Sequence, residues 1–229
     1  MHIKTKKTLA IVLSSLILGG CQMSDKRLNE TKPIDQKPSE VATEELPNTR
    51  ALQDEFTREM IKSTKETEKG YYTLESKTGE YEMLFPAGGE IGSGSYTNNQ
   101  GVNEAFMAGV LYEDKTQARI KVHFNQKQSN DETGIQYAQK FLKKNLGIED
   151  EFKNIEKNGN TFYLAPFQSE NGYYGYGAYI YDTSRDVGGI EFIYTTECRE
   201  SFSPCSPSNQ EVMEKVEKIL SSVEFNKEK

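Results

Sequence analysis

Apolar residues recur along this chain with two periods, and the changes of period mark the elements. Leu52, Phe56 and Met60 are four apart, with Ile61 beside them and Glu55, Arg58, Glu59 and Lys62 on the opposite side. That spacing predicts an amphipathic helix from an N-cap at Asn48-Thr49 to about Glu68, stopped by Gly70, its apolar stripe packing on its own domain. From Tyr71 the period falls to two. Residues 72–76 and 80–85 read as paired strands around the turn Lys77-Thr78-Gly79, with Tyr81, Met83 and Phe85 on one face and Pro86 as the stop. Residues 88–101 hold five glycines and two asparagines among mostly polar residues and read as a flexible surface loop.

The alternation returns in residues 105–113 and 116–124, where Ala118, Ile120, Val122 and Phe124 interleave with Gln117, Arg119, Lys121 and His123. A second helix opens at Glu132-Thr133, carries Ile135, Ala138, Phe141 and Leu142 at helical spacing, and ends at Gly147. Four strands follow, at 152–156, 161–167, 173–181 and 189–196, two of their turns being Asn158-Gly159 and Asn171-Gly172. A last helix from about Ser208 places Val212, Val216, Ile219 and Leu220 on one stripe before Val223-Glu224-Phe225. The order is helix, strands, helix, strands, helix, with no internal repeat. It predicts an α+β fold, an antiparallel sheet with helices on its faces.

The chain opens differently. Lys4, Lys6 and Lys7 precede an apolar run, Leu9 to Leu18, interrupted by Ser14 and Ser15 and closed by Gly19-Gly20-Cys21. The run has signal-peptide length and falls short of the roughly 20 residues a spanning helix needs. Leu18-Gly19-Gly20-Cys21 resembles the lipobox of bacterial lipoproteins. The resemblance implies that residues 1–20 are removed and that the Cys21 thiol receives a diacylglyceryl group; an ordinary secretory peptide and an uncleaved anchor are the rival readings. Two acyl chains would anchor stably where one binds only marginally. The expected address is the extracytoplasmic face of the cell membrane. Residues 21–48, with Pro33, Pro38 and Pro47, many charges and no aromatics, read as a disordered tether. Residues 49–229 read as one α+β domain.

Charge narrows the partners. The chain carries 28 Lys+Arg against 35 Asp+Glu. The leader holds three of the lysines and no acid, so the mature chain is more acidic still, which argues against nucleic acid as a partner. Thirteen Tyr and eleven Phe supply the apolar surface for a core. Cys198 and Cys205 enclose a short loop with Pro204; in an exported chain that spacing predicts a disulfide, two reduced thiols being the alternative.

Little in the chain points to chemistry. His123 is the one histidine left after the leader, on the polar face of its strand, so a Ser-His-Asp or Cys-His site would have to use it. No metal or cofactor motif stands out: Asp182-x-Ser184-x-Asp186 has calcium-loop spacing, but Val187 and Ile193 stand where glycine and glutamate are needed. Tyr173, Tyr174, Tyr176, Tyr179 and Tyr181 cluster on one strand among Gly172, Gly175 and Gly177. Tyrosine beside glycine is good contact chemistry for a protein or glycan partner in the envelope, and the alternative is that these rings pack under helices.

The strand pair ending at Phe85-Pro86, the mid-chain helix, the run of hairpins and the ending Ile219-Leu220-Ser221-Ser222-Val223-Glu224-Phe225 resemble the PsbP/Mog1-like group of α/β/α sandwich domains over about residues 70–226. That group's tryptophan after the Phe85-Pro86 position is missing here. The resemblance implies an accessory or binding protein without a catalytic site; the alternative function is a cell-wall-active hydrolase.

Two outcomes follow. Radiolabelled fatty acid should enter the wild-type protein and not Cys21→Ser; equal labelling of both would refute lipidation. The intact mass of the exported protein should rise by two hydrogens on reduction, and two freely alkylated thiols in the native protein would rule out the Cys198–Cys205 bond.

Overall fold

The alternation in residues 117–124 builds the central strand of the molecule. The computed structural model describes residues 35–168, 173–197 and 209–226, all within one compact unit, Pro33–Lys229. The central strand, β6 (Gln117–Ser129), pairs with β5 (Asn103–Leu111) on one side and β10 (Val187–Glu197) on the other. Beyond β10 lie β9 (Tyr174–Asp182), β8 (Asn160–Gln168) and β7 (Lys153–Lys157). Beyond β5 lie β3 (Gly89–Ile91) and β4 (Thr97–Asn99). All these pairings are antiparallel. A second sheet joins β1 (Tyr71–Glu75), β2 (Tyr81–Pro86) and β11 (Glu224–Phe225), again antiparallel. The expected α+β antiparallel architecture is the one observed.

The two faces of the large sheet are covered differently. On the inner face Phe106, Ile120, Val122, Phe124, Phe162, Ile180 and Phe192 form one core with the small sheet. The helix α4 (Asn209–Leu220) belongs to the same core through Val212, Val216, Ile219 and Leu220. On the outer face the helix α3 (Glu132–Leu146) packs over the β8–β9 half, where Ala138, Leu142 and Ile148 meet Ala165 and Tyr179, with Ile193 of β10 against the same cluster. Asp131 caps α3, accepting from the Gly134 amide at 2.7 Å, and Gly147 ends it in the left-handed conformation, φ 66°. Its seat depends on Gly177: a Cβ there would lie 2.7 Å from Leu146 Cδ1.

The chain's ending ties the layers together. Ser222 Oγ donates to the Ile219 carbonyl at 2.6 Å and accepts from the Leu84 amide of β2 at 2.8 Å. Asn160 of β8 donates to the Val223 carbonyl at 2.6 Å. The Leu-Ser-Ser ending thus fastens α4 to both sheets.

Three expectations require correction. The helix foreseen over 49–68 is two single turns, α1 (Arg50–Gln53) and α2 (Glu55–Arg58). Asp54 stands extended between them and caps α2, its Oδ1 accepting from the Thr57 amide at 2.8 Å, which outweighs continuation of the stripe. Leu52, Met60 and Ile61 are nonetheless buried. The tether read over 21–48 gives way to packed chain by residue 35: residues 38–40 and 43–45 form 3₁₀ turns, Pro38 and Leu46 are buried, and the Thr64 amide donates to the Gln36 carbonyl. Leu46 supplies apolar area that the proline-rich composition concealed. The glycine-rich stretch is likewise partly sheet: Gly89 and Ile91 pair with β5, and the Ile91 amide donates to Thr57 Oγ1.

One carboxylate sits inside this core. Glu104 of β5 is fully buried and accepts from Tyr81 Oη at 2.9 Å, Tyr96 Oη at 2.8 Å and the Lys77 amide at 2.8 Å. Burial and that carboxylate push the Tyr96 phenol up to about 12, so both phenols remain donors at any physiological pH. Glu104→Ala strands the buried Tyr81 hydroxyl and leaves two part-buried donors, the Tyr96 hydroxyl and the Lys77 amide, without their acceptor; it should destabilise the fold by about 2 kcal/mol in urea titration, with Glu104→Gln losing less than half of that.

Candidate functional site

Three clefts cluster at the end of the large sheet that carries the β5–β6 turn. The first, about 230 Å³, lies on the outer face. Its floor is a row of cross-strand neighbours, Gly109 of β5, Arg119 of β6 and Thr195 of β10. Gly109 leaves open space above it. Arg50, whose guanidinium bonds Glu90 of β3 at 2.6 Å, stands at one rim and Tyr173 at the other. The second, about 610 Å³, lies between the segment after α3 (Glu149, Asp150), the end of β8 (Pro166, Phe167) and Tyr174 and Tyr176 of β9. The third, about 600 Å³, is lined by Tyr71, Leu111 and Tyr112, with Arg50 shared with the first. Leu111 is among the few exposed large apolar residues, at 38 %.

The tyrosine strand divides by parity. Tyr174 and Tyr176 pack on the inner core while half exposed, and their rings line the second cleft. Tyr179 is a core residue, 1 % exposed beneath α3, its Oη donating to Asn130 Oδ1 at 2.7 Å. It is therefore removed from the set of partner-facing rings; burial pushes its phenol far up. Tyr181 is half buried and stacks on Tyr179 at 6.0 Å. The glycines between these rings serve packing: Gly177 admits α3, and a Cβ on Gly175 would collide with the Tyr194 carbonyl. Of the five tyrosines, Tyr173, Tyr174 and Tyr176 come together at the cleft end. Cys21, Cys198 and Cys205 lie outside the described residues.

His123 stands on the outer face of β6, its Nδ1 3.4 Å from Glu191 Oε2 of β10. Asp182 accepts from the Ser184 amide at 2.8 Å and from its hydroxyl at 2.7 Å, so the acidic segment 182–186 closes the β9–β10 hairpin. Among the described residues no group of three or more His, Cys, Asp or Glu side chains could hold a metal, and no helix is long and apolar enough to cross a membrane. Sequence reasoning missed Arg50, which reaches the first cleft from an element of one turn. It also passed over Arg119, although the alternation of β6 already placed that residue on the polar face.

Comparison with known proteins supplies the family. A family model described as "Putative lipoprotein YvcA" matches residues 47–224. A curated protein of the same description from Bacillus subtilis (strain 168) is 33% identical over 236 residues, covering 96% of this chain and 97% of its own length. No solved structure matches. The matched span runs from the packed segment before α1 to β11, so it takes in both sheets, both longer helices and the cleft end; the chain belongs to the YvcA lipoprotein family.

Proposed function

We propose that this lipoprotein is held at the extracytoplasmic face of the membrane by a diacylglyceryl group on Cys21 and binds an envelope partner, protein or glycan, without catalysing a reaction. The observation that carries this reading is the composition of the clefts at one sheet end. Tyr173, Tyr174, Tyr176, Arg50 and Arg119 line them, and phenol and guanidinium groups are the side chains most enriched as interface anchors. Family membership and the leader ending Leu18-Gly19-Gly20-Cys21 support the address.

A hydrolase is the second reading, and one observation favours it. Glu149 and Asp150 line the same cleft of about 610 Å³ as Tyr174 and Tyr176, and a pair of carboxylic side chains is what glycoside hydrolysis uses. Both readings are tested together. The mature chain incubated with purified peptidoglycan should release no soluble fragment; release abolished by Glu149→Gln or Asp150→Asn would establish the hydrolase instead. Replacing Tyr174 and Tyr176 with serine should reduce cross-linked capture of the partner in intact cells by about tenfold or more. The test requires little change in melting temperature. Undiminished capture would remove the cleft from the binding site.

A further inference from the structure

The second cleft differs from the other two in the charge of its lining. Arg50 stands in both the first and the third. No lysine, arginine or histidine is among the described residues that line the second, and the connection from β8 to β9, residues 169–172, is Ser-Glu-Asn-Gly. Tyr174 and Tyr176 are alternate residues of β9, so their rings stand on one face of the strand about 6.8 Å apart, both partly exposed. Their cross-strand neighbours on β8, Gln168 and Pro166, are exposed beside them. β7 stops pairing with β8 at Leu164, so among the described residues this patch lies at an open border of the sheet. Glu149 and Asp150, from the segment after α3, complete the lining. Both are exposed and make no ion pair among the described residues.

We infer that the second cleft is the seat of a glycan strand whose sugars carry no anion. Three features select that ligand. Two phenol rings in file present flat apolar faces with polar tips, which match the C–H faces and hydroxyl rims of successive sugars. The other polar side chains are two carboxylates and an amide, planar groups that can bond neighbouring hydroxyls. Carboxylates only accept, so they take sugar hydroxyls or amines; without a base beside them they turn away carboxylated or phosphorylated sugars. A peptide would use the open border of β8 by adding a strand, and Pro166 offers no N–H there. The cleft's volume of about 610 Å³ is ample for part of such a chain. The inference rests on the reading of the protein as a non-catalytic binder of an envelope partner, and names which of the two partner classes this cleft takes.

The test uses the mature chain with Cys21→Ser and three soluble oligomers of matched length, β-linked N-acetylglucosamine, β-linked glucosamine and lysine, titrated by calorimetry. Both sugar oligomers should bind. The glucosamine oligomer, with its amines beside the two acids, should bind about threefold tighter, an advantage that added salt weakens. Glu149→Gln/Asp150→Asn should abolish that advantage and leave the N-acetylated oligomer bound. Tyr174→Ala/Tyr176→Ala should lower affinity for both sugars by about tenfold or more. Gln168→Ala, at an exposed position, should lower it about threefold, and decides the matter where the tyrosine variant melts early. Tyr137→Ser, which removes an exposed ring of α3 outside the cleft, and Glu44→Gln/Glu45→Gln, at exposed positions before α1, should leave binding unchanged. The assignment would be overturned by no binding of either sugar, or by equal losses in the cleft and control variants. Tighter binding of the lysine oligomer, abolished in the tyrosine variant, would overturn it in favour of a cationic peptide. In any of these events, cross-linked capture in cells that still depends on Tyr174 and Tyr176 would keep the partner-binding reading. Shortening of a sugar oligomer during the titration would overturn the non-catalytic reading instead.

Discussion

Register along β6 is the constraint on which the rest of the molecule depends. The strand lies between β5 and β10, and its two faces have opposite chemistry: Ile120, Val122 and Phe124 are buried while Arg119 and Lys121 are exposed. A slip of one residue against either neighbour would carry those cations into the core and the three apolar side chains into water. Desolvating even one unpaired charge costs far more than the fold has to spare. The same register aligns Gly109, Arg119 and Thr195 in the floor of the first cleft, so core and surface site are fixed by one pairing.

That pairing also explains what could be seen in the sequence. Alternation and hairpin turns located β5 to β10 within a few residues, because each strand buries one face and the period is local. The helices α3 and α4 were legible for the same reason, with Asp131 and Gly147 as punctuation at the ends of α3. The first helix was not. Leu52, Phe56 and Met60 keep helical spacing, yet Asp54 takes up the Thr57 amide and breaks the run into two turns. A capping side chain inside an apolar stripe is a local signal that competes with the period. Residues 35–48 were misread because burial of Pro38 and Leu46 depends on surfaces far along the chain.

The tyrosine strand shows how far composition carries a site. Its density was visible, and so was the presence of rings on both parities. Which parity lies under a helix depends on where α3 crosses, and that is set by Gly177, a residue with no side chain to mark it. Tyr179 therefore became core, while Tyr174 and Tyr176 kept an open edge. Arg50 joined the cleft through its bond to Glu90 on β3, an encounter between residues 40 apart that no local pattern announces.

Charge is distributed as unevenly as burial. On the small sheet Glu75, Glu82 and Glu224 stand side by side across three strands. Lys62 bonds both oxygens of Glu82 at 2.7 and 2.8 Å, and that contact, with the neighbouring glutamates, raises its pKa. One ammonium held among three carboxylates relieves their repulsion without reversing its sign, so this face remains anionic. On β6 of the large sheet, by contrast, Arg119, Lys121 and Lys127 are exposed. Acidic and basic side chains are thus sorted between the small sheet and the large one: cross-strand register gathers the three glutamates on one, and alternation along a single strand sets out the cations on the other.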